Sequence, residues 1–180
     1  MNPQNRYDSL IEFYAEKHGL GQHVHWLKNQ MLAESSGDPK AVSPKGAKGL
    51  FQFMPDTWKE YDDFDNIPAL DDPFNAEENI EAACNYMAYL YSKFPEIPEG
   101  TERLVFAAAA YNCGRGNVNK MLELARHADG KPANYKRWVD AGKPEGVWQM
   151  WGFASQFLEQ VTGKRNAKET LGYIEQIFGG

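Results

Sequence analysis

The sequence predicts a mainly α-helical protein folded as one domain. Its 180 residues suit one ordinary globular domain and leave little room for two. Hydrophobic residues make up 42% and aromatic residues 13% of the chain, which is ample for a packed core. Apolar residues recur at three- and four-residue spacing, whereas no short window alternates cleanly between apolar and polar residues. We therefore expect a single domain over residues 1–180 with little or no β structure.

Two apolar stripes at helical spacing predict the first two helices: Tyr7, Leu10, Ile11 and Tyr14, then Val24, Leu27 and Met31. The second of these helices is expected to end near Glu34, because two serines and a glycine follow it and make a turn.

The clearest helix is expected to begin at Asp72. An aspartate before a proline is a typical N-cap followed by a first-turn proline, and Glu77 and Glu78 place negative charge early in the helix, where its dipole favours it. The stripe below comprises Ile80, Cys84, Met87 and Tyr91.

Three more helices fill the rest of the chain. One begins at Thr101, carries the apolar run 104–110 and is expected to end at Gly114 in a left-handed conformation. The other two are expected over residues 117–130 and 166–178. Two irregular segments, 36–54 and 62–71, are rich in Gly, Pro and Asp, and loops of this length are more often functional than idle.

Charge and hydropathy exclude several classes of protein. The net charge is −6 and its signs are mixed, which argues against a nucleic-acid binder and against a sensor of anionic membranes. The longest apolar run, 104–110, is far shorter than the roughly 20 residues of a membrane span. No secretory signal is visible at the N-terminus, so we expect either synthesis in a cytoplasm or a leader already removed.

Metal and cofactor chemistry is not expected. The spacing of Cys84 and Cys113 matches no pair of metal ligands, and we expect both to be reduced, buried thiols. His23 and His25 lie two residues apart, so they would not share the helical face that a metal site needs.

Glu34 is the first candidate for chemistry. It follows apolar residues at the expected end of a helix, and a partly buried carboxylate holds its proton more readily than one in water. Such a group could donate a proton near neutrality. One acidic residue alone does not define an active site, and the ordinary alternative is that Glu34 is a surface residue.

Four sequence segments favour the catalytic interpretation of Glu34 over the surface one. Glu-Ser begins at Glu34, Ser-Pro-Lys-Gly-Ala-Lys-Gly-Leu-Phe-Gln-Phe-Met-Pro occupies 43–55, Ala-Tyr-Asn-Cys-Gly occupies 110–114 and Glu-Thr-Leu-Gly-Tyr-Ile occupies 169–174. In this order they resemble the soluble lytic transglycosylase family, whose catalytic domain is related to goose-type lysozyme. Three positions depart from the family's pattern by small or apolar exchanges: Phe51 for Met, Cys113 for Ala and Ile174 for Val.

The resemblance implies a lysozyme-like helical domain with a substrate cleft. Its motif core would comprise residues 24–130 and 166–178, with a family-variable segment at 131–165. That segment contains Trp138, Trp148 and Trp151, which we expect mostly in the core rather than stacked on sugars.

The resemblance also implies an activity. The family cleaves the β-1,4 bond between N-acetylmuramic acid and N-acetylglucosamine in peptidoglycan without water and leaves a 1,6-anhydro sugar. Glu34 matches its single general acid/base.

Substrate contacts are expected from Ser43, Gln52, Met54, Tyr111, Asn112 and Tyr173. The expected partner is a peptidoglycan glycan strand, bound by a monomer without a metal or cofactor. Glu169 could be a second carboxylate, but we interpret it as a residue complementing the dipole at a helix N-terminus.

Two alternatives stay open. Hydrolysis of the same bond would need an acid to hold a water, for which Asp56, Asp62, Asp63 and Asp65 are available. A non-catalytic glycan-binding module of a virion or secretion machine would keep the cleft without turnover. We expect action at the bacterial cell wall or periplasm and rank a phage-encoded protein above a trimmed bacterial one.

Overall fold

A computed structural model of the chain describes residues 5–62, 72–129 and 146–179. Its α-helices within those ranges are α1 (Asp8–Lys17), α2 (Val24–Ser35), α3 (Pro55–Asp62), α4 (Ala76–Ser92), α5 (Thr101–Cys113), α6 (Arg115–Asp129), α7 (Trp151–Ala154), α8 (Leu158–Thr162) and α9 (Lys164–Phe178). Short 3₁₀ turns occupy Gly21–His23, Val147–Gln149 and Ser155–Phe157. The described ranges contain no sheet, only isolated antiparallel bridges of Lys48 with Val42 and Phe53. The prediction of a mainly α-helical fold is confirmed.

Helix boundaries differ from the sequence-based expectation by one or two residues at several ends. α6 begins at Arg115 rather than Asn117, and α9 begins at Lys164 rather than Asn166. Gly130, the expected end of α6, lies outside the described residues, as does 63–71 of the second irregular segment. The three shortest α-helices, α3, α7 and α8, were not expected, because eight residues or fewer contain too little apolar periodicity to indicate a helix.

The expected N-cap of α4 is wrong. The helix begins after Asn75, whose Oδ1 accepts hydrogen bonds from the backbone N–H groups of Glu77 at 3.0 Å and Glu78 at 3.4 Å. Asp72 instead accepts a hydrogen bond from the N–H of Phe74 at 2.9 Å and so closes the turn that precedes the helix. Both residues can cap, and the chain direction after this turn decides which of them does so.

The end of α5 also differs in detail. The N–H of Gly114 donates to the carbonyl of Ala110 at 2.9 Å, as expected of a helix terminus. Its dihedral angles are φ 89 and ψ 136, however, so the residue has a positive φ but an extended ψ and is not in the left-handed helical conformation. The extended ψ turns the chain directly into α6, which begins at the next residue.

The described residues group into two compact units. The first comprises those within 1–89 together with 176–178. Within it, α1 contacts α4 through part-buried polar pairs: the Tyr14 hydroxyl donates to Glu77 at 2.9 Å, and the Lys17 ammonium pairs with the buried Glu81 carboxylate at 2.5 Å. Desolvation, with the hydrogen bond to Glu77, raises the pKa of Tyr14 above its usual range. The end of α9 is held by Asn29, whose side-chain amide donates to the carbonyl of Ile177 at 2.9 Å.

The second unit comprises the described residues within 90–175 and Gly179. Its centre is α5, whose residues 104–110 are all buried. Phe106 packs against Phe94 at 6.2 Å between ring centroids and against the edge of Trp151 at 5.4 Å. The Arg126 guanidinium lies 4.2 Å from the centroid of the Trp148 ring. Trp148 and Trp151 are each only half-buried, so they lie at the border of the core and not inside it as expected. Trp138 lies outside the described residues.

Both cysteines are free thiols, as expected. Cys84 is fully buried, and burial raises the pKa of its thiol to about 12, so it stays neutral and unreactive. Cys113 is only half-buried, contrary to expectation, because it ends α5 instead of lying inside it.

Across the described ranges, no helix is long and apolar enough to cross a bilayer. No group of three or more His, Cys, Asp or Glu side chains in those ranges could hold a metal ion.

Candidate active site

Glu34 lies one residue before the end of α2, on the face of the helix that packs into the first unit. Leu27 and Met31, seven and three residues earlier, occupy the same face and are fully buried. Glu34 continues this stripe at the last turn, where the helix leaves the core, and is half-buried. The expected position of the carboxylate, at a helix end between core and solvent, is confirmed.

The helix stops sharply after Ser35, the residue that follows Glu34. Ser36 adopts the left-handed conformation, with φ 57 and ψ 22, and its N–H donates to the carbonyl of Leu32 at 2.9 Å. The Ser35 hydroxyl donates to the carbonyl of Met31 at 3.3 Å and accepts from the N–H of Gly37 at 3.2 Å. Because the chain changes direction here, the segment that follows, residues 36–54, begins beside Glu34. We call this segment the site loop.

Ser43 and Gln52 hold the site loop in shape. The Ser43 hydroxyl accepts a hydrogen bond from the N–H of Ala47 at 3.0 Å, and the Ser43 N–H donates to the Ala47 carbonyl at 2.9 Å. Gln52 has a positive φ of 51, and its side-chain nitrogen donates to the carbonyls of Gly49 at 2.9 Å and Ala41 at 3.2 Å. Both residues therefore have a structural role, and their contacts with substrate stay predictions.

Met54, at the end of the site loop, is 42% exposed, whereas Leu50 and Phe51 are completely buried. Met54 therefore presents its side chain to solvent and is available to a ligand. The two buried residues anchor the loop in the first unit.

Asn79, which no sequence pattern predicted as a site residue, ties the site loop to α4. It is completely buried, its Oδ1 accepts from the N–H of Phe51 at 2.8 Å, and its side-chain nitrogen donates to the carbonyl of Pro73 at 2.9 Å. Gly49 approaches this bridge so closely that a Cβ added there would lie 2.1 Å from the Pro73 oxygen. The available sequence signal was a lone asparagine directly before the buried stripe of α4.

The remaining predicted site residues belong to the second unit. Tyr111 is half-buried near the end of α5, and Tyr173 is 8% exposed on α9. Asn112 is exposed, and its Oδ1 accepts a hydrogen bond from the Thr170 hydroxyl at 2.8 Å. Thr170 is only 1% exposed, so it joins the Ala-Tyr-Asn segment of α5 to the Glu-Thr segment of α9. Thr170 lies within the Glu-Thr motif at 169–174, but nothing in the sequence indicates its partner.

We expect Thr170→Val to lower the free energy of unfolding by about 0.5–1.5 kcal/mol, because it removes one hydrogen bond and leaves Asn112 exposed to water. Urea titration followed by circular dichroism would measure the change. Thr162→Val is the matched control, since the Thr162 hydroxyl bonds only the backbone of its own segment. Equal stability of the Thr170 variant and the parent would show that this link between α5 and α9 contributes nothing.

The structure describes the side chains of two of the acidic residues considered as a second catalytic carboxylate, Glu169 and Asp56. Glu169 is exposed and is the sixth residue of α9, so its expected location at a helix N-terminus is wrong, because α9 begins five residues earlier at Lys164. Asp56 is exposed in the first turn of α3. Asp63, Asp65 and the side chain of Asp62 lie outside the described residues.

Comparison with known structures shows the fold. The 70 kDa soluble lytic transglycosylase of Escherichia coli aligns with a TM-score of 0.64 at 24% identity, over 96% of this chain and 24% of that chain. An inactive Glu→Gln variant of the lytic transglycosylase Slt from Pseudomonas aeruginosa aligns with a TM-score of 0.59 at 25% identity, over 91% of this chain and 25% of that chain. The fold is thus the helical lysozyme-like one that the resemblance implied.

Comparison of sequences shows the family. The membrane-bound lytic murein transglycosylase F of Desulfosudis oleivorans is 32% identical over 173 residues, which cover 96% of this chain and 35% of that protein. The chain spans about a third of the length of such curated relatives. The family model described as "Transglycosylase SLT domain" matches residues 12–134, which include Glu34, the site loop and Tyr111. The chain therefore belongs to the transglycosylase SLT domain family.

Proposed function

We propose that this protein is a peptidoglycan lytic transglycosylase that uses Glu34 as its single general acid/base. The observation that carries the proposal is family membership over residues 12–134, the part of the chain that contains Glu34 and the site loop. The half-buried position of Glu34 at the end of a buried helical stripe supports its role as a proton donor.

The reaction needs only one carboxylate. Glu34 would protonate the bridging oxygen while the bond from C1 of N-acetylmuramic acid to that oxygen breaks. The resulting carboxylate would accept the proton of the C6 hydroxyl while O6 bonds to C1, which closes the 1,6-anhydro ring. The proton that Glu34 gives away is replaced, and no water enters. A second carboxylate is required only where a water or an enzyme nucleophile attacks C1.

The other site residues would hold the sugar. Ser43 and Gln52 lie on the loop that follows Glu34, and Met54 offers exposed apolar surface at its end. Tyr111, Asn112 and Tyr173 would contact the saccharide, as the motif match implies. The Pseudomonas aeruginosa protein, which is inactive with Gln in place of a Glu, supports a mechanism that depends on one glutamate.

The proposed site of action is the bacterial cell wall, and the proposed partner is a glycan strand of peptidoglycan. The Desulfosudis oleivorans relative, named as a membrane-bound lytic murein transglycosylase, supports that assignment. A phage origin and lysis of whole bacteria stay predictions, as does the monomeric state.

Mass spectrometry of fragments released from purified sacculi tests the proposal. We expect disaccharide peptides that end in 1,6-anhydro-N-acetylmuramic acid, whose mass is one water lower than that of a hydrolytic product. Fragments with a reducing end would replace the proposal by hydrolysis. Binding to sacculi without release of fragments would replace it by a non-catalytic glycan-binding module.

A further inference from the structure

Gln30 is a buried polar residue on the face of α2 that carries Glu34. It is only 1% exposed, and within the described residues its side-chain nitrogen, Nε2, has no hydrogen-bond partner. A buried amide donor without an acceptor destabilises the folded state, because water solvates the same group in the unfolded chain. The fold therefore contains a donor at a cost in stability, and neither the family motifs nor the proposed reaction gives this donor a role.

The position of Gln30 on α2 brings it next to Glu34. Gln30 lies four residues before Glu34, one helical turn away, where Cβ atoms on a helix surface are about 5–6 Å apart. A long side chain on a helix leans toward the N-terminus and covers the turn before its own Cα, so we expect the Glu34 side chain to extend over the turn that contains Gln30. A side-chain amide and a carboxylate at this spacing can form a hydrogen bond.

The proposed reaction needs such a donor. When Glu34 protonates the bridging oxygen, a negative charge forms on its carboxylate at the border of the core, where less water is available to stabilise that charge. A carboxylate can accept about four hydrogen bonds, so a further donor can be added whatever else Glu34 accepts. Because the Gln30 amide is uncharged, it stabilises the carboxylate less than a cation would and leaves Glu34 able to take its proton back.

We propose that Gln30 is a positioning residue that donates a hydrogen bond from Nε2 to the Glu34 carboxylate as Glu34 loses its proton. The amide would rotate toward the carboxylate as the charge forms. It would be released when Glu34 takes up the proton of the C6 hydroxyl. This inference rests on the proposed function, because it gives Gln30 a part in the two proton transfers of Glu34.

Nuclear magnetic resonance of the full chain tests this contact without turnover. We expect the side-chain amide signals of Gln30 to shift with pH at the midpoint at which the carboxyl carbon of Glu34 titrates. In Glu34→Gln the same amide signals should stay constant over that pH range. The comparison needs only these two proteins, so it does not depend on how a Gln30 variant folds.

Gln30→Met removes the donor and keeps nearly the same side-chain length. We expect the pKa of Glu34 to rise by about one unit in this variant, because a hydrogen bond to the charged form is lost. Met31→Leu is the matched control, since Met31 is a completely buried residue of the same stripe and the exchange removes no donor. There the pKa of Glu34 should equal that of the parent. Every ionisable side chain is the same in these proteins, so a difference in pKa reports the exchanged residue.

Kinetics separates a positioning role from a structural one. In Gln30→Met we expect the rate of fragment release at saturating sacculi to fall about tenfold, since the transition state loses a donor to the developing charge. The amount of sacculi that gives half the maximal rate should not change, because Gln30 is buried and cannot contact glycan. Stability in urea, measured where Glu34 is protonated, should equal or exceed that of the parent, because the folded state loses no hydrogen bond.

Three results would overturn the inference. They are amide signals of Gln30 that do not respond to the ionisation of Glu34, a pKa of Glu34 that is not raised in Gln30→Met, and an equal rise in Gln30→Met and Met31→Leu, which would make Gln30 a packing residue. Release of anhydro fragments without coupling between Gln30 and Glu34 would contradict only this inference. Coupling between them in a protein that releases no fragments would contradict only the proposed function.

Discussion

Glu34→Gln is expected to lower the rate of glycan cleavage by about 10²- to 10⁴-fold, the usual contribution of general acid–base catalysis. We expect the upper part of that range, because one group would serve both proton transfers and glutamine can serve neither. Glutamine has nearly the same size, and Glu34 is only half-buried, so the fold and the affinity for glycan should be retained. The measurement is the rate of fragment release from sacculi at saturating substrate, with binding measured separately by co-sedimentation.

Glu169→Gln is the matched control for this experiment. Glu169 is exposed on α9, and the same exchange there should leave turnover unchanged. A Glu34 variant as active as the parent would remove Glu34 from the mechanism. Loss of activity in the Glu169 variant alone would point to the second carboxylate that the sequence left open.

Gly49→Ala is expected to lower the free energy of unfolding by about 3–5 kcal/mol, which is exceptional for a single substitution. Gly49 has φ 78, and its Cβ would lie 2.1 Å from the Pro73 carbonyl oxygen and 2.4 Å from the Asn79 side-chain nitrogen. Both contacts are far closer than real atoms approach. Relief would require breaking the Asn79 bridge, which leaves the buried N–H of Phe51 without its acceptor.

Gly46→Ala separates the loss of stability caused by the positive φ from the loss caused by the close approach to Pro73 and Asn79. Gly46 lies in the same loop with a similar φ of 87, but a Cβ there would meet nothing within 4 Å. Its substitution should cost only the conformational strain, about 1–2 kcal/mol. The comparison is made by urea denaturation of both variants. Equal losses would show that the close approach to Pro73 and Asn79 contributes nothing and would contradict the role assigned to Asn79.

Much of the helical architecture follows from local pattern. The stripes of α1 and α2 predicted helices where the structure has them, since apolar side chains three and four residues apart can be buried together only on a helix. The position of Glu34 follows from the same reasoning, because it extends the face that carries Leu27 and Met31. Short helices such as α3 were missed, although Pro55 at its first position is a typical start.

The N-cap of α4 is not determined by the local sequence. Asp72 and Asn75 are both good N-caps, and the sequence offers no means to choose between them. The structure selects Asn75, because Asp72 is used in the preceding turn, whose Pro73 carbonyl must face Asn79. The roles of Asn79 and Thr170 depend in the same way on partners distant in the sequence.

The sequence by itself determined the helical class, the family motifs and the position of Glu34 at a helix end, because each depends on residues close together in the chain. Only the tertiary structure decided how the site loop is held, which residue caps α4, and that Thr170 on α9 donates a hydrogen bond to Asn112 on α5. These features depend on contacts between segments tens of residues apart. A residue that packs against or hydrogen-bonds another residue at that distance produces no periodic pattern in the sequence.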